Sequence, residues 1–183
     1  VEDPLREEAA DAVRELKEAG ITKVVMMTGD SERTAAAIAK RVGVDEYYSE
    51  VLPEDKASFV EKEKELGHKV IMIGDGINDS LALSSASVGI AISDGAAIAR
   101  EIADVTISAD NLHEIVTLKR LSTALMKRIH NNYRTIIGIN GGLIALGVTG
   151  IIMPTTSALL HNMSTLTISL RSMRNLLPKE EEA

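Results

Sequence analysis

The pattern of apolar and polar residues divides the chain into two parts. In residues 1–110, short apolar runs alternate with segments of helical periodicity. The runs predict short strands, buried because helices cover both faces of a parallel sheet. These strands are expected at residues 23–27, 47–49, 70–73, 87–92 and 104–107. The repeated order of strand, polar turn and helix predicts an α/β domain with a doubly wound parallel sheet.

The second part of the chain is distinguished by its lack of charge. Residues 135–170 contain no Asp, Glu, Lys or Arg. The run at 135–153 is just long enough to span a bilayer, and Pro154 interrupts it. Basic residues flank both outer ends of this region, which predicts a transmembrane hairpin with both ends in the cytoplasm. A buried helical hairpin of a soluble protein is the alternative.

These patterns predict four segments. Residues 1–110 form the α/β domain, 111–134 a connecting stalk helix, 135–177 two transmembrane helices and 178–183 an acidic tail. The net charge of −7 and the absence of a basic stripe argue against nucleic acid as a partner. The absence of cysteine excludes a disulfide, a thiolate ligand and a cysteine nucleophile within this chain.

The chemistry of the first part centres on a turn that follows the strand at 70–73. Gly74 and Gly76 bracket Asp75, and Asn78 and Asp79 begin the helix predicted at 77–86. Ligands bind outside the carboxyl ends of parallel strands, and carboxylate and amide oxygens suit magnesium. The alternative is that Asp75 caps the helix and Asp79 is a solvated acid of its first turn.

Two further polar residues are predicted to face the same edge of the sheet. Thr28 leaves the strand at 23–27, and Lys56 begins the helix at 53–66. A hydroxyl, an ammonium group and two carboxylates can together bind a phosphoryl group and its magnesium ion. Taken alone, each residue has a plainer interpretation, since Lys56 could be a solvated lysine and Thr28 part of a simple turn.

The sequence resembles the phosphorylation domain of P-type ATPases, a branch of the haloacid dehalogenase superfamily with a Rossmann-like fold. The matching motifs are Thr-Gly-Asp at 28–30, Pro-Glu-Asp-Lys at 53–56 and Gly-Asp-Gly-Ile-Asn-Asp at 74–79. The resemblance implies Mg²⁺ and ATP as cofactors. It implies that Thr28 and Lys56 contact the phosphoryl group, that Asp75 and Asp79 bind magnesium with support from Asn78, and that Gly29, Asp30, Gly74 and Gly76 help to bind the cofactors.

One part of the family pattern is missing. The phosphorylated aspartate of the family lies in an upstream Asp-Lys-Thr-Gly-Thr segment, which does not occur here. The nucleotide-binding domain, the actuator domain and the earlier membrane helices also have no counterpart. We therefore expect a fragment that is inactive alone and whose partner is the amino-terminal part of the same pump.

The predicted membrane segment identifies the subfamily that the chain resembles. Calcium and sodium pumps carry many helices after the phosphorylation domain, whereas heavy-metal pumps end after two. The resemblance thus implies a multi-pass pump of the cell membrane that transports a transition-metal ion and keeps its soluble domain in the cytoplasm.

Within the second predicted span, a histidine marks a candidate ion site. A histidine inside a membrane helix is costly unless paired, so His161 is a functional candidate, and Ser164 and Thr165 lie on the same helical face. In heavy-metal pumps an ion ligand stands at this position, three residues before a small-residue pair. Asn140 matches an Asn found in several of these pumps. Imidazole and amide ligands suit a borderline divalent ion better than copper(I), and the particular ion stays open.

Two other functions compete with the pump. The first is a non-catalytic membrane module or split-pump subunit, supported by the missing nucleophile. The second is a membrane-tethered phosphatase of the same superfamily, which would need its own aspartate after an early strand. The early acidic candidate, Asp3, precedes a predicted helix instead of following a strand, so this alternative is weaker.

Overall fold

The computed structural model describes residues 9–74, 77–92, 101–107 and 112–176. Contacts within the chain divide it into two compact units, Val1–Leu118 and Lys119–Ala183. Each unit is described separately below. Two predicted site residues, Asp75 and Gly76, lie outside the described residues, as does the acidic tail.

The first unit alternates helices and strands in the predicted order. Its elements are α1 (Ala9–Glu18), β1 (Val25–Met27), α2 (Glu32–Val42), β2 (Glu46–Tyr48), α3 (Pro53–Glu65), β3 (Ile71–Gly74), a 3₁₀ turn (Ile77–Asp79), α4 (Ser80–Ser85), β4 (Val88–Ile92) and β5 (Val105–Ile107). Every strand pairing among them is parallel. This order and pairing agree with the predicted α/β class.

The strands form two sheets where the sequence predicted one. β1 pairs with β2 in a two-stranded sheet, and the other sheet has the order β3-β4-β5. Its register places Ile71 opposite Val88 and Ile90 opposite Val105. In the described residues no ladder joins β1 to β3, so the prediction of one continuous sheet is wrong at that point.

The expectation that residues 70–73 are buried on both faces is also wrong. Ile71 and Ile73 are 40% and 36% exposed, whereas Met72 packs against the buried clusters. Successive side chains of a strand point to opposite faces. The apolar run therefore has one face in the core and one face accessible to solvent in this chain.

The core of the first unit lies on both sides of β4. On one side, Leu16 of α1 and Ile90 of β4 pack with Ile107 and with the first turn of the helix that follows. On the other side, Leu83 of α4 packs with Ala91 of β4, and Ala57 and Val60 of α3 pack against α4 in a neighbouring cluster. These contacts hold the starts of α3 and α4 close together, which positions the residues described below.

The second unit is a pair of helices. The structure gives α5 (His113–Val148), whose first residues pack in the first unit, and α6 (Pro154–Ser172). The predicted stalk and first span are one continuous helix. Gly150 has φ +73°, which ends the helical path, and Pro154 begins α6.

The predicted pair of transmembrane helices is not seen. Within the described ranges, none of the helices combines the length and the apolar character needed to cross a bilayer. The uncharged run is divided between two helices, since α5 ends at Val148 and α6 begins at Pro154. The earlier part of α5 also contains the charged residues up to Arg134. The second helix carries many hydroxyl groups, a histidine and an asparagine.

Three contacts show that α5 and α6 run antiparallel. Arg128 and Asn132 of α5 contact Ser172 at the end of α6, whereas Asn140, later in α5, contacts His161, earlier in α6. The residue numbers rise along one helix as they fall along the other. The connection of residues 149–153 is short, as expected for an antiparallel helical hairpin.

Candidate functional site

The candidate phosphoryl site is built around a charged pair in the first unit. Lys56 lies near the start of α3, and Asp79 ends the 3₁₀ turn that follows β3. The Lys56 Nζ donates to Asp79 Oδ1 at 2.8 Å, and the two side chains are only 16% and 11% exposed. Charges removed from water to this extent are normally paired. The structure therefore brings together two of the residues that the sequence singled out.

The start of α3 and the end of β3 position the two side chains of this pair. Pro53 fits the first position of α3, and the Asp55 side chain accepts from the Leu52 N–H at 3.2 Å. These interactions fix the start of the helix that carries Lys56. The Asp79 carboxylate packs against Gly74, where an added Cβ would lie 2.6 Å from the Asp79 Cβ. Only glycine leaves room for Asp79 in this position.

The polar turn after β1 has its own internal contacts. The Thr28 Oγ1 donates to Asp30 Oδ2 at 2.7 Å and accepts from the Asp30 N–H at 3.1 Å. The backbone of Thr28 is bonded to Tyr48 and Val51 on the neighbouring segment. The Thr28 hydroxyl is thus half-buried and committed to Asp30, so it would have to rotate to donate to a phosphate oxygen.

The predicted magnesium ligands are described only in part. Asp79 is 8% exposed, Asn78 is exposed, and Asp75 lies outside the described residues. No group of three or more His, Cys, Asp or Glu that could hold a metal ion occurs within the described residues. The donors present, a carboxylate and an amide oxygen, are of the kind that magnesium prefers. Their chemistry fits the ion, with one Asp79 oxygen already paired to Lys56.

Beyond the turn at residues 28–30, the fold forms a small polar cluster that the sequence patterns did not predict. Glu32, in the first turn of α2, accepts from the Ser49 hydroxyl at 2.6 Å and the Tyr47 hydroxyl at 2.8 Å. These two hydrogen bonds lower the pKa of Glu32, and the bond to Glu32 raises the pKa of Tyr47. The cluster joins the helix after Thr28 to the end of β2, and only the three-dimensional fold reveals it.

In the second unit, the two predicted ion-path residues meet across the helix pair. The His161 Nδ1 lies 2.9 Å from Asn140 Oδ1. The Ser164 and Thr165 hydroxyls both donate to the His161 backbone carbonyl, at 2.8 and 3.0 Å. The four residues therefore form one polar group within the uncharged segment, and none of them is shown to bind an ion.

The far end of the same helix pair carries contacts that sequence reasoning also missed. The Arg128 guanidinium donates to the backbone carbonyls of Ser172, Arg174 and Asn175, and the Asn132 amide donates to the Ser172 hydroxyl. In the sequence, the basic residues before residue 135 indicate only a flank of the predicted span. A cation can cap the carboxyl end of a helix. Which helix end Arg128 caps depends on how the two helices of the hairpin pack, and the sequence does not show this.

Comparison with known proteins identifies the class of the first unit. A family model described as haloacid dehalogenase-like hydrolase matches residues 1–87. The parallel strands with intervening helices and the Lys–Asp pair at one end of them agree with this class.

Relatives that match nearly the whole length of this chain are metal-exporting P-type ATPases. The chain is 37% identical over 173 residues, 94% of its length, to the zinc-exporting P-type ATPase of Mycobacterium marinum, and it covers 24% of that protein. It is 38% identical, with the same coverage, to the manganese-exporting P-type ATPase of Mycobacterium bovis. Over nearly its whole length, the chain is therefore similar to one part of P-type ATPases that export heavy metals.

A solved structure supports the same relationship. The chain matches the crystal structure of a zinc-transporting PIB-type ATPase in its E2.Pi state with a TM-score of 0.88 and 34% sequence identity. The match covers 96% of this chain and 28% of that one. The chain thus spans about a quarter of the length of the relatives it matches.

Proposed function

We propose that this chain is one segment of an ATP-driven transition-metal pump. In this proposal the first unit contributes to phosphoryl transfer and the helix pair contributes to the path of the metal ion. The observation that carries it is the Lys56–Asp79 pair, 2.8 Å apart and largely withdrawn from water in a haloacid dehalogenase-like domain. The relatives that match 94% of the chain are named as exporters of zinc or manganese.

The charged pair has a direct use in phosphoryl transfer. A phosphoryl group in transfer carries negative charge on its oxygens, and a preorganised ammonium group stabilises that charge. Asp79 holds the Lys56 Nζ at one place before any ligand arrives. The enzyme then needs little reorganisation of Lys56 at the moment of reaction.

Thr28 and magnesium would complete the phosphoryl site. The Thr28 hydroxyl would exchange its bond to Asp30 for one to a phosphate oxygen. Asp75 and Asp79 would hold Mg²⁺ with help from Asn78, and Gly29, Asp30, Gly74 and Gly76 would shape the loops around the nucleotide phosphates. Magnesium, when bound, would neutralise charge on the transferring group.

The cargo would pass through the polar group of the helix pair. Asn140, His161, Ser164 and Thr165 offer an imidazole nitrogen and three side-chain oxygens, a neutral donor set suited to a borderline divalent ion. The complete pump would lie in the cell membrane. Its first unit would face the cytoplasm, where ATP is available, and the remaining domains would come from the amino-terminal part of the pump.

Phosphorylation of the complete pump from inorganic phosphate tests the site without involving ATP. Lys56→Met should lower the level of phosphoenzyme about 100-fold or more, the usual effect of removing one preorganised donor. Asp79→Asn should act in the same direction, since it releases Lys56. Lys62→Met, on the exposed part of the same helix, is the control and should label normally.

The result that would overturn the proposal is equally clear. If Lys56→Met and Asp79→Asn are folded by circular dichroism and accept phosphate as the parent pump does, the pair has no part in phosphoryl transfer. The non-catalytic membrane module would then be the better account of the chain.

A further inference from the structure

The contact between Asn140 and His161 determines which nitrogen of the imidazole carries hydrogen. In the structure the Asn140 Oδ1, which can only accept, faces the His161 Nδ1 at 2.9 Å, and with the amide in this orientation Nδ1 is the donor. A neutral imidazole protonated at Nδ1 has a lone pair at Nε2. The second ring nitrogen is therefore available as a metal ligand whenever this hydrogen bond is formed.

The geometry points to Asn140 as a positioning residue, which holds His161 in the Nδ1–H form so that its Nε2 binds a divalent transition-metal ion. This inference rests on the proposed function of the helix pair and assigns different roles to two of its residues. Histidines that bind metals generally donate their other N–H to an oxygen, and this outer contact fixes the orientation of the ring. Asn140 supplies such an oxygen from the facing helix.

The hydroxyl groups beside His161 bond to its backbone and leave its imidazole ring to Asn140. Ser164 and Thr165 follow His161 by three and four residues, so they lie on the same face of α6. Both donate their protons to the His161 carbonyl, at 2.8 and 3.0 Å. Thr135, Thr149 and Thr167 make the same bond to the carbonyl four residues earlier, so it is ordinary helix geometry and the inference rests on the Asn140 contact alone.

The position of the pair within the hairpin makes the role of Asn140 specific. Asn140 is half-buried on α5, and its oxygen reaches His161 because the antiparallel register places the two residues opposite each other. Asn131 lies nine residues earlier, which is two and a half turns at about 3.6 residues per turn and puts it on the opposite side of the helix. The chain thus contains a matched asparagine that cannot replace Asn140.

The test uses the complete pump with Zn²⁺ and Mn²⁺ as separate probes. Asn140→Leu keeps the approximate volume and removes the acceptor. It should raise the metal concentration needed for half-maximal ATP hydrolysis about 10–100-fold, the range for loss of an outer-shell partner, with little change in rate at saturating metal. Titration calorimetry of the nucleotide-free pump should show the same loss of metal affinity.

Two further variants separate positioning from structure. Asn140→Asp retains an oxygen acceptor and should keep the parent affinity or exceed it. Asn131→Leu makes the same change on the opposite side of α5 and should leave metal affinity unchanged. If Asn140→Asp loses affinity as Asn140→Leu does, or if Asn131→Leu lowers affinity as much, the assigned role is wrong.

A double-mutant cycle decides whether Asn140 acts through His161 or binds the ion itself. A residue that acts only through His161 has nothing left to influence once His161 is removed. Asn140→Leu should therefore add no further loss of affinity in a His161→Ala background. An additive loss would make Asn140 an independent ligand and would overturn the inference.

The same experiment distinguishes this inference from the broader proposal. If His161→Ala binds both metals like the parent, the proposed ion path through this helix pair fails, and the role of Asn140 fails with it. If His161→Ala loses affinity but Asn140→Leu does not, the ion path stands and only the positioning role is overturned.

Discussion

At the scale of single residues, Asp79 has two roles in the turn after β3: it pairs with a largely buried cation, and it packs against the backbone. Its carboxylate pairs with Lys56, and its side chain occupies the space beside Gly74 that any other residue would fill. The two constraints act together, because a shift of Asp79 away from residue 74 would also change its contact with Lys56. The requirement for glycine at 74 therefore follows from packing and does not depend on an unusual backbone angle.

A methyl group at position 74 should disturb this arrangement. In Gly74→Ala the new Cβ would lie 2.6 Å from Asp79 Cβ and 2.8 Å from its Oδ2, so Asp79 has to move. We expect a loss of about 1–3 kcal/mol in the free energy of unfolding, typical of overpacking, together with reduced phosphorylation of the complete pump. Chemical denaturation measures the first effect.

Gly29→Ala is the matched control for that stability measurement. The nearest atom to a Cβ at position 29 is the Val51 carbonyl oxygen, at 3.9 Å, which is an ordinary contact. Its unfolding free energy should stay close to that of the parent. Equal stability of Gly74→Ala and the parent would show that the turn yields easily, and the packing argument would fail.

The sequence singled out candidate site residues, and of these the structure joins Lys56 to Asp79 and Thr28 to Asp30. Residue type and position after a strand were enough to select Thr28, Lys56 and Asp79. They could not show that Thr28 donates to Asp30, or that Lys56 bonds to Asp79 across 23 positions of sequence. Side-chain partners at such separations depend on how the helices pack, which no local pattern encodes.

At the scale of elements, apolar runs located the strands and helices to within a few residues. The helix predicted at 53–66 is α3 (Pro53–Glu65), and the strand predicted at 23–27 is β1 (Val25–Met27). The stalk predicted at 111–134 and the first part of the uncharged run that follows it lie in one helix, α5, for a physical reason. A change from charged to uncharged side chains alters the surroundings that a helix prefers, but it does not interrupt its backbone hydrogen bonds.

The carboxyl end of α6 depends on a residue of α5. The last carbonyls of a helix have no partner within it, and Arg128 donates to those of Ser172, Arg174 and Asn175. Arg128→Ala should destabilise the helix pair by about 1.5–3 kcal/mol, the range for hydrogen bonds to a charged group. Faster amide hydrogen exchange in the last turn of α6 would report the loss.

Two variants control for the charge of Arg128. Lys127→Ala removes a neighbouring exposed cation and should leave exchange in that turn unchanged. Arg128→Lys keeps the charge but lacks the planar group that reaches several carbonyls, so it should recover only part of the protection. Exchange in Arg128→Ala equal to that of the parent would mean that the contact does not stabilise α6.

At the scale of the whole molecule, the class of the first unit and the family were accessible from the sequence because their motifs are long and specific. The two-sheet arrangement was not, since local alternation predicts strands without saying which of them pair. The predicted helical hairpin is present as α5 and α6, whereas none of the described helices has the length and apolar character of a membrane span.

We propose that the chain is part of a pump that couples phosphorylation to a metal ion, and the central claim is therefore that, in the complete pump, phosphorylation from ATP requires a metal ion bound at His161. The most direct measurement is labelling of the complete pump from ATP, with and without Zn²⁺ or Mn²⁺. The parent should form phosphoenzyme only with metal, whereas His161→Ala should lose this dependence on metal yet still accept inorganic phosphate. Asp75→Asn should not label from either source. Labelling without metal, or normal metal activation in His161→Ala, would contradict the account.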